Sequence, residues 1–80
     1  MQSGELIVTG KNSIHIPINK FPSEVKCRFK DEFATIPCNP DDADRLEYEI
    51  IVSTTTPTTF TLFINWKVTG VREIKWEVAY

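Results

Sequence analysis

Residue-by-residue alternation of apolar and polar side chains constrains this chain more than any other feature. Ile14, Ile16 and Ile18 alternate with His15 and Pro17, and Val25, Cys27 and Phe29 with Lys26, Arg28 and Lys30. Leu46, Tyr48, Ile50 and Val52 alternate with Glu47, Glu49, Ile51 and Ser53. Phe60, Leu62, Ile64 and Trp66 alternate with Thr61, Phe63, Asn65 and Lys67, and Ile74, Trp76 and Val78 with Glu73, Lys75 and Glu77. A weaker pattern covers Glu5 to Thr9. A period of two buries one face of a pleated segment, so the sequence predicts six strands, over 5–9, 13–18, 24–30, 46–53, 59–68 and 72–80. They are rich in Ile, Val, Thr, Phe and Trp, which suit a half-buried pleated surface.

Turn residues punctuate the pattern. Gly10-Lys11-Asn12 reads as a short polar turn between the first two strands, and Thr69-Gly70 as the hairpin between the last two. Asn19 to Ser23 separates the second and third, with Pro22 unable to donate to a ladder. The longest connection, Asp31 to Arg45, holds Pro37, Pro40, Asp41, Asp42 and Asp44. Within it Asn39-Pro40-Asp41-Asp42 has the order of cap, proline and acids that starts a helix, so one helical turn fits there. Thr54 to Thr59, around Pro57, reads as a Thr-rich loop.

Half-buried strands must cover their apolar faces, and without helices the cover is a second sheet. The expected fold is all-β, a six-stranded antiparallel β-sandwich filling residues 1–80 as a single domain. At this length folding hides roughly 63% of the extended chain's surface, a modest core that usually needs a staple. Cys27 and Cys38 read as two reduced thiols. Met1 to Glu5 carries no basic leader, and Leu6-Ile7-Val8 is too short for a secretory segment. Their 11-residue separation fits no metal motif, and one histidine with two cysteines makes no zinc site. Oligomerisation is the staple left, so a homo-oligomer is expected. Ile51 and Phe63, large apolar residues on outward positions, are its expected interface. Lys26, Arg28 and Lys30 point outward on one strand, and Glu47, Glu49, Glu73 and Glu77 on others. Either they pair across strands or subunits, or they are scattered solvated charges worth about 0–1 kcal/mol per pair.

Several function classes are excluded on this reading. Nine basic and eleven acidic residues leave a net charge of −2, unlike a nucleic-acid binder driven by bulk charge. Phe29 points away from Lys26, Arg28 and Lys30, so base stacking beside those cations is not available. No apolar run approaches the roughly 20 residues of a membrane-spanning helix. Gly4, Gly10 and Gly70 are isolated, so there is no phosphate-cradling loop. His15 has no sequence-evident nucleophile beside it and reads as a surface side chain. Asp41, Asp42 and Asp44 lack the spacing and glycine of a calcium loop. No enzyme activity, catalytic residue, metal or cofactor is expected.

The stretch from Thr59 to Tyr80, with Gln2-Ser3-Gly4, Ser53, Pro57, Thr58, Phe60 and Ile74-Lys75-Trp76, resembles the H-type lectin domain. That family, known from snail agglutinins, discoidins and phage tail proteins, is a six-stranded antiparallel sandwich. The resemblance implies a homotrimer, sometimes stacked to a hexamer, holding galactose or N-acetylgalactosamine in clefts between subunits. The family's binding Trp-His pair falls on Trp66-Lys67, with lysine in place of histidine. The arginine often found in its fourth strand falls on Ile51. A partly exposed indole at Trp66 would stack on a sugar face. By alternation, though, Trp66 shares the face of Phe60, Leu62 and Ile64, and both readings stand.

The expectation is therefore an oligomeric, H-type-lectin-like interaction module, set in a virion or phage tail by the resemblance. Its expected ligand site is Asn65, Trp66, Lys67 and Arg72, taking carbohydrate at a subunit boundary. The alternative is a purely structural virion protein, a capsid decoration or a tail or neck component, that binds no sugar. Expected partners are copies of itself and glycans or other virion proteins, with no nucleic acid and no membrane.

Overall fold

The computed structural model describes residues 1–30, 44–53 and 59–80. Every regular element among them is a strand: β1 (Gln2–Ile18), β2 (Glu24–Phe29), β3 (Arg45–Val52) and β4 (Phe60–Ala79). All pairings are antiparallel and β4 is the hub. β1 follows one side of β4 along its full length. On the other side, Glu24–Phe29 pairs with the later part of β4 and Arg45–Val52 with the earlier part. The all-β class follows from the alternation.

The strand count is four among the described residues, rather than the six predicted. The segments 5–9 and 13–18 are joined within β1, and 59–68 and 72–80 within β4. The expected turn at Gly10-Lys11-Asn12 and hairpin at Thr69-Gly70 are therefore corrected. A hairpin would pair 5–9 with 13–18 and 59–68 with 72–80, whereas among the described residues these segments pair across β1 and β4 instead. Gly10 (φ 63°) and Gly70 (φ 79°) are the described residues with positive φ, and each bends its strand without ending the ladder.

The bend is nevertheless large. The Gln2 side-chain amide donates to the Pro17 carbonyl at 3.2 Å. Fifteen residues of straight strand would hold those groups about 50 Å apart, so β1, with β4 beside it, doubles over on itself. The ladder shifts register there: Thr9 faces Val71, and Lys11 faces Lys67. One residue of β1 thus opposes three of β4. That offset of two preserves the alternation, so even-numbered residues of both strands stay on the inside of the bend. Two halves result. The β2 half combines residues 2–9, β2 and 71–79; the β3 half combines residues 11–18, β3 and 60–67.

The inner side chains of both halves form one apolar cluster. Leu62, Ile64, Ile74 and Val78 are completely buried, and Val8, Ile16, Ile18, Val68 and Trp76 nearly so. Burying each such side chain is worth about 1.5–3 kcal/mol. Gly4 has a steric reason to be glycine. It lies opposite Trp76, and a Cβ there would sit 2.6 Å from the indole ring. The β2 half is closed off by the Tyr80 hydroxyl, which donates to Gln2 Oε1 at 2.7 Å, and by the Ser23 N–H, which donates to the Ala79 carbonyl at 2.8 Å.

The β3 half is less complete. Tyr48 and Val52 lie in the same register as Ile64 and Phe60, yet each is 50% exposed. The predicted break at Asn19 to Ser23 is present. The helical turn at Asn39 to Asp42, the acids Asp41 and Asp42, Cys38 and most of the Thr-rich loop (54–58) lie outside the described residues.

Candidate functional site

Register decides which expected site residues meet. Asn65 and Lys67 are odd-numbered and face outward from β4. Lys67 has Lys11 of β1 on one side and Arg45 of β3 on the other, so three cations form one row across three strands. In the next row Asn65 lies between Ser13 and Glu47. These side chains line a shallow depression with Lys11, Arg45, Glu47, Asn65, Trp66 and Lys67 on its wall. Arg45 and Glu47 approach to 3.8 Å along β3. Lys11 and Arg45 were not among the expected residues. Alternation shows that they face outward, but nothing in it reveals which residues of distant strands stand opposite.

Trp66 and Arg72 belong to the inner face. Trp66 is opposite Asn12 and Leu46 and packs against the apolar cluster. Its indole N–H is buried and has no hydrogen-bond partner among the described residues. The ring is thus partly buried against the core, and Trp66 also borders the depression.

Arg72 ties the two halves together at the bend. Its guanidinium pairs with the Asp44 carboxylate and lies 4.3 Å from the Phe29 ring centroid. The pair is largely hidden, with about a tenth of each side chain exposed. The Thr69 N–H also donates to Asp44 Oδ1 at 2.7 Å. Burial pushes the Asp44 carboxyl upward, but the Thr69 bonds and the Arg72 guanidinium outweigh it and hold the group below the ordinary carboxylate range.

The expected interface residues lie on the outer side of the β3 half. Phe63 stands opposite Glu49 and Ile51 opposite Thr61, so the two are diagonal neighbours on one face. Ile51 is 43% exposed. His15 is a surface residue of β1, as its alternation predicts, and its ring lies 4.4 Å from that of Phe63.

The β2 half pairs its surface charges internally. Lys26 is opposite Glu77. Lys30 Nζ lies 3.2 Å from Glu5 and 3.8 Å from Glu73. The hydrogen bond to Glu5, with the charges of Glu5 and Glu73, pushes the exposed Lys30 amine upward. Cys27, on the inner face opposite Trp76, is a free thiol whose pKa burial raises to about 11. Among the described residues no three His, Cys, Asp or Glu side chains gather as a metal site, and no helix is long and apolar enough to cross a membrane. No protein-family model, curated protein or solved structure matches the chain.

Proposed function

We propose that this chain is a structural interaction module that works by packing against copies of itself, with no enzymatic activity of its own. The observation that carries the reading is the unfinished β3 half. Tyr48 and Val52 point to the apolar side of the sheet and stay half exposed, and Ile51 and Phe63 add apolar surface on the opposite side. A neighbouring copy would bury these groups, which a small core needs. The doubled β1–β4 ribbon supports a two-layer arrangement of six strand segments, the sandwich expected from the sequence. A trimeric or hexameric assembly in a virion or tail rests on the H-type-lectin resemblance.

Carbohydrate binding at a subunit boundary is the second reading. It is favoured by one observation, the depression that exposes Asn65 and Lys67. Its stacking platform is reduced, since Trp66 borders the depression but is partly buried against the core.

Sedimentation tests both. The chain should sediment as an oligomer, and Ile51→Asp with Phe63→Asp should shift it to monomer while the β-type circular dichroism is retained. A wild-type monomer at all concentrations would overturn the assembly reading. For the second, a glycan array should show saturable binding that Asn65→Ala weakens, and no binding to any glycan would remove it.

A further inference from the structure

We propose that the open edge of β1 over residues 5–9 pairs antiparallel with the same segment of a second copy, linking oligomers of this chain through a shared sheet. This second contact rests on the reading that copies pack through the β3 half. The edge follows from the ladder. The Lys30 N–H donates to the Glu73 carbonyl at 2.9 Å, so odd-numbered residues in this part of β4 turn their backbone groups toward β2. Successive residues of a strand present those groups to opposite sides, so even-numbered residues of β4 serve β1. Leu6 faces Ile74 and Ile7 faces Glu73, and the even-numbered residues of β1 therefore bond to β4. The N–H and C=O groups of Glu5, Ile7 and Thr9 turn the other way. Among the described residues β1 pairs with no second strand, so these groups lie along an open edge, a template for a further strand.

The two halves of that edge differ. The Ser53 N–H donates to the Thr59 carbonyl at 3.0 Å, which by the same alternation puts Ser13, His15 and Pro17 on the open edge of the β3 half. There the edge is blunted. Pro17 has no N–H, its carbonyl already accepts the Gln2 side-chain amide, and Lys11 stands at the bend. Proline and lysine guard a strand against edge-to-edge pairing. Residues 5–9 carry neither. Their centre is Ile7, 72% exposed, and its diagonal neighbour Val71 is 70% exposed. Glu5, the one charged side chain among them, is bonded to Lys30 of its own chain.

The side chains select a second copy and its register. A two-fold axis at Ile7 sets that residue opposite itself, Glu5 opposite Thr9 and Leu6 opposite Val8. Glu5, Ile7 and Thr9 then exchange backbone hydrogen bonds with the second copy. Ile7 and Val71 of both copies merge into one apolar patch, and no like charges meet. An axis at Glu5 would oppose two carboxylates. A depression of about 250 Å³, lined by Glu5, Leu6, Ile7 and Glu73, borders the segment and is large enough to receive the second copy's Ile7. The bend at Gly10 ends the ladder. So short a contact falls below the roughly 1,200 Å² of a standard interface. It therefore acts between oligomers, each of which presents several edges at once.

The test joins sedimentation of the full chain to hydrogen exchange resolved to single residues. At high protein concentration the Glu5, Ile7 and Thr9 amides should be protected, and on dilution they should exchange fast. Ser13 and His15 should stay fast throughout, and Leu6 and Val8, bonded to β4, should stay slow. Ile7→Lys should weaken formation of the largest species at least tenfold and leave a smaller oligomer, while Ile7→Val should assemble as the wild type does. Both change an exposed side chain, and unchanged circular dichroism verifies the fold. If Ile7→Lys sediments like the wild type, edge pairing is overturned and the β3-half contact stands. Fast exchange at all three amides in an oligomeric wild type also overturns it and leaves the edge to a strand of another protein. Equal protection at Ser13 and His15 overturns the choice of segment. If Ile51→Asp with Phe63→Asp keeps the oligomer and Ile7→Lys dissolves it, the β3-half reading falls and edge pairing stands. A wild-type monomer at every concentration overturns both.

Discussion

The β2 half and the β3 half are built from the same two long strands, yet they solve the surface problem differently. In the β2 half, four acids and four bases are interleaved on the outer face, and the inner face is sealed by Trp76 over Gly4 and by the Tyr80 bond to Gln2. In the β3 half, the cations gather in one row, the acids follow on β3, and Tyr48, Val52 and Ile51 stay exposed. The outer face of the β2 half also carries apolar surface, with Ile7 and Val71 exposed as diagonal neighbours. The contrast therefore lies in the inner faces: the β2 half is closed and acts as a stabilising frame, whereas the β3 half leaves Tyr48 and Val52 open.

The largest expected effect tests that division directly. Trp76→Ala, in the closed half, should cost about 3–5 kcal/mol in urea unfolding. Tyr48→Ala, in the open half, should cost under about 0.5 kcal/mol when measured on the monomer. Equal losses at the two positions would end the comparison. Next in size, Gly4→Ala should cost about 1–3 kcal/mol, because its Cβ meets a large ring with little room to move. A neutral result would show that the indole is not wedged over β1.

A smaller loss than at Trp76 or Gly4 is expected at the bend between the halves. Asp44→Asn keeps an acceptor for the Thr69 N–H but removes the charge facing Arg72, and should cost about 1 kcal/mol at pH 7. Because the folded Asp44 carboxyl titrates below its ordinary value of 3.8, its contribution is fully present above that pH. It is lost as pH falls through the lower folded value. Stability of the Asn variant should therefore fall less steeply with acid than that of the wild type over that range. Parallel acid profiles would show that the Asp44–Arg72 pair contributes nothing.

Much of this was legible along the chain. The segments that alternate are the segments that form strands, and Lys26 and Lys30 face acids across the ladder, as their outward positions allowed. What alternation specifies is a side chain's face, because successive Cβ atoms point to opposite sides of a pleated backbone. It does not specify how two extended segments connect. Gly10 and Gly70 mark a change of direction in either case, and the distinction between bend and hairpin rests on which segments pair: β1 stays beside β4 on both sides of the two glycines. The expected site was divided for a related reason. Asn65, Trp66 and Lys67 are neighbours in sequence, so alternation itself sends the indole to one face and its two neighbours to the other. Arg72 was outwardly plausible as a ligand contact until Asp44 and Phe29 were found around its guanidinium.

Sequence alone determined the all-β class, the inner and outer set of nearly every strand and the small size of the core, since each depends on local period and chain length. Tertiary structure alone decided the doubling of β1 on β4, the steric need for glycine opposite Trp76 and the meeting of Lys11, Lys67 and Arg45. Those features depend on register between segments tens of residues apart, and register is set by the whole ladder closing at once rather than by any stretch of residues within it.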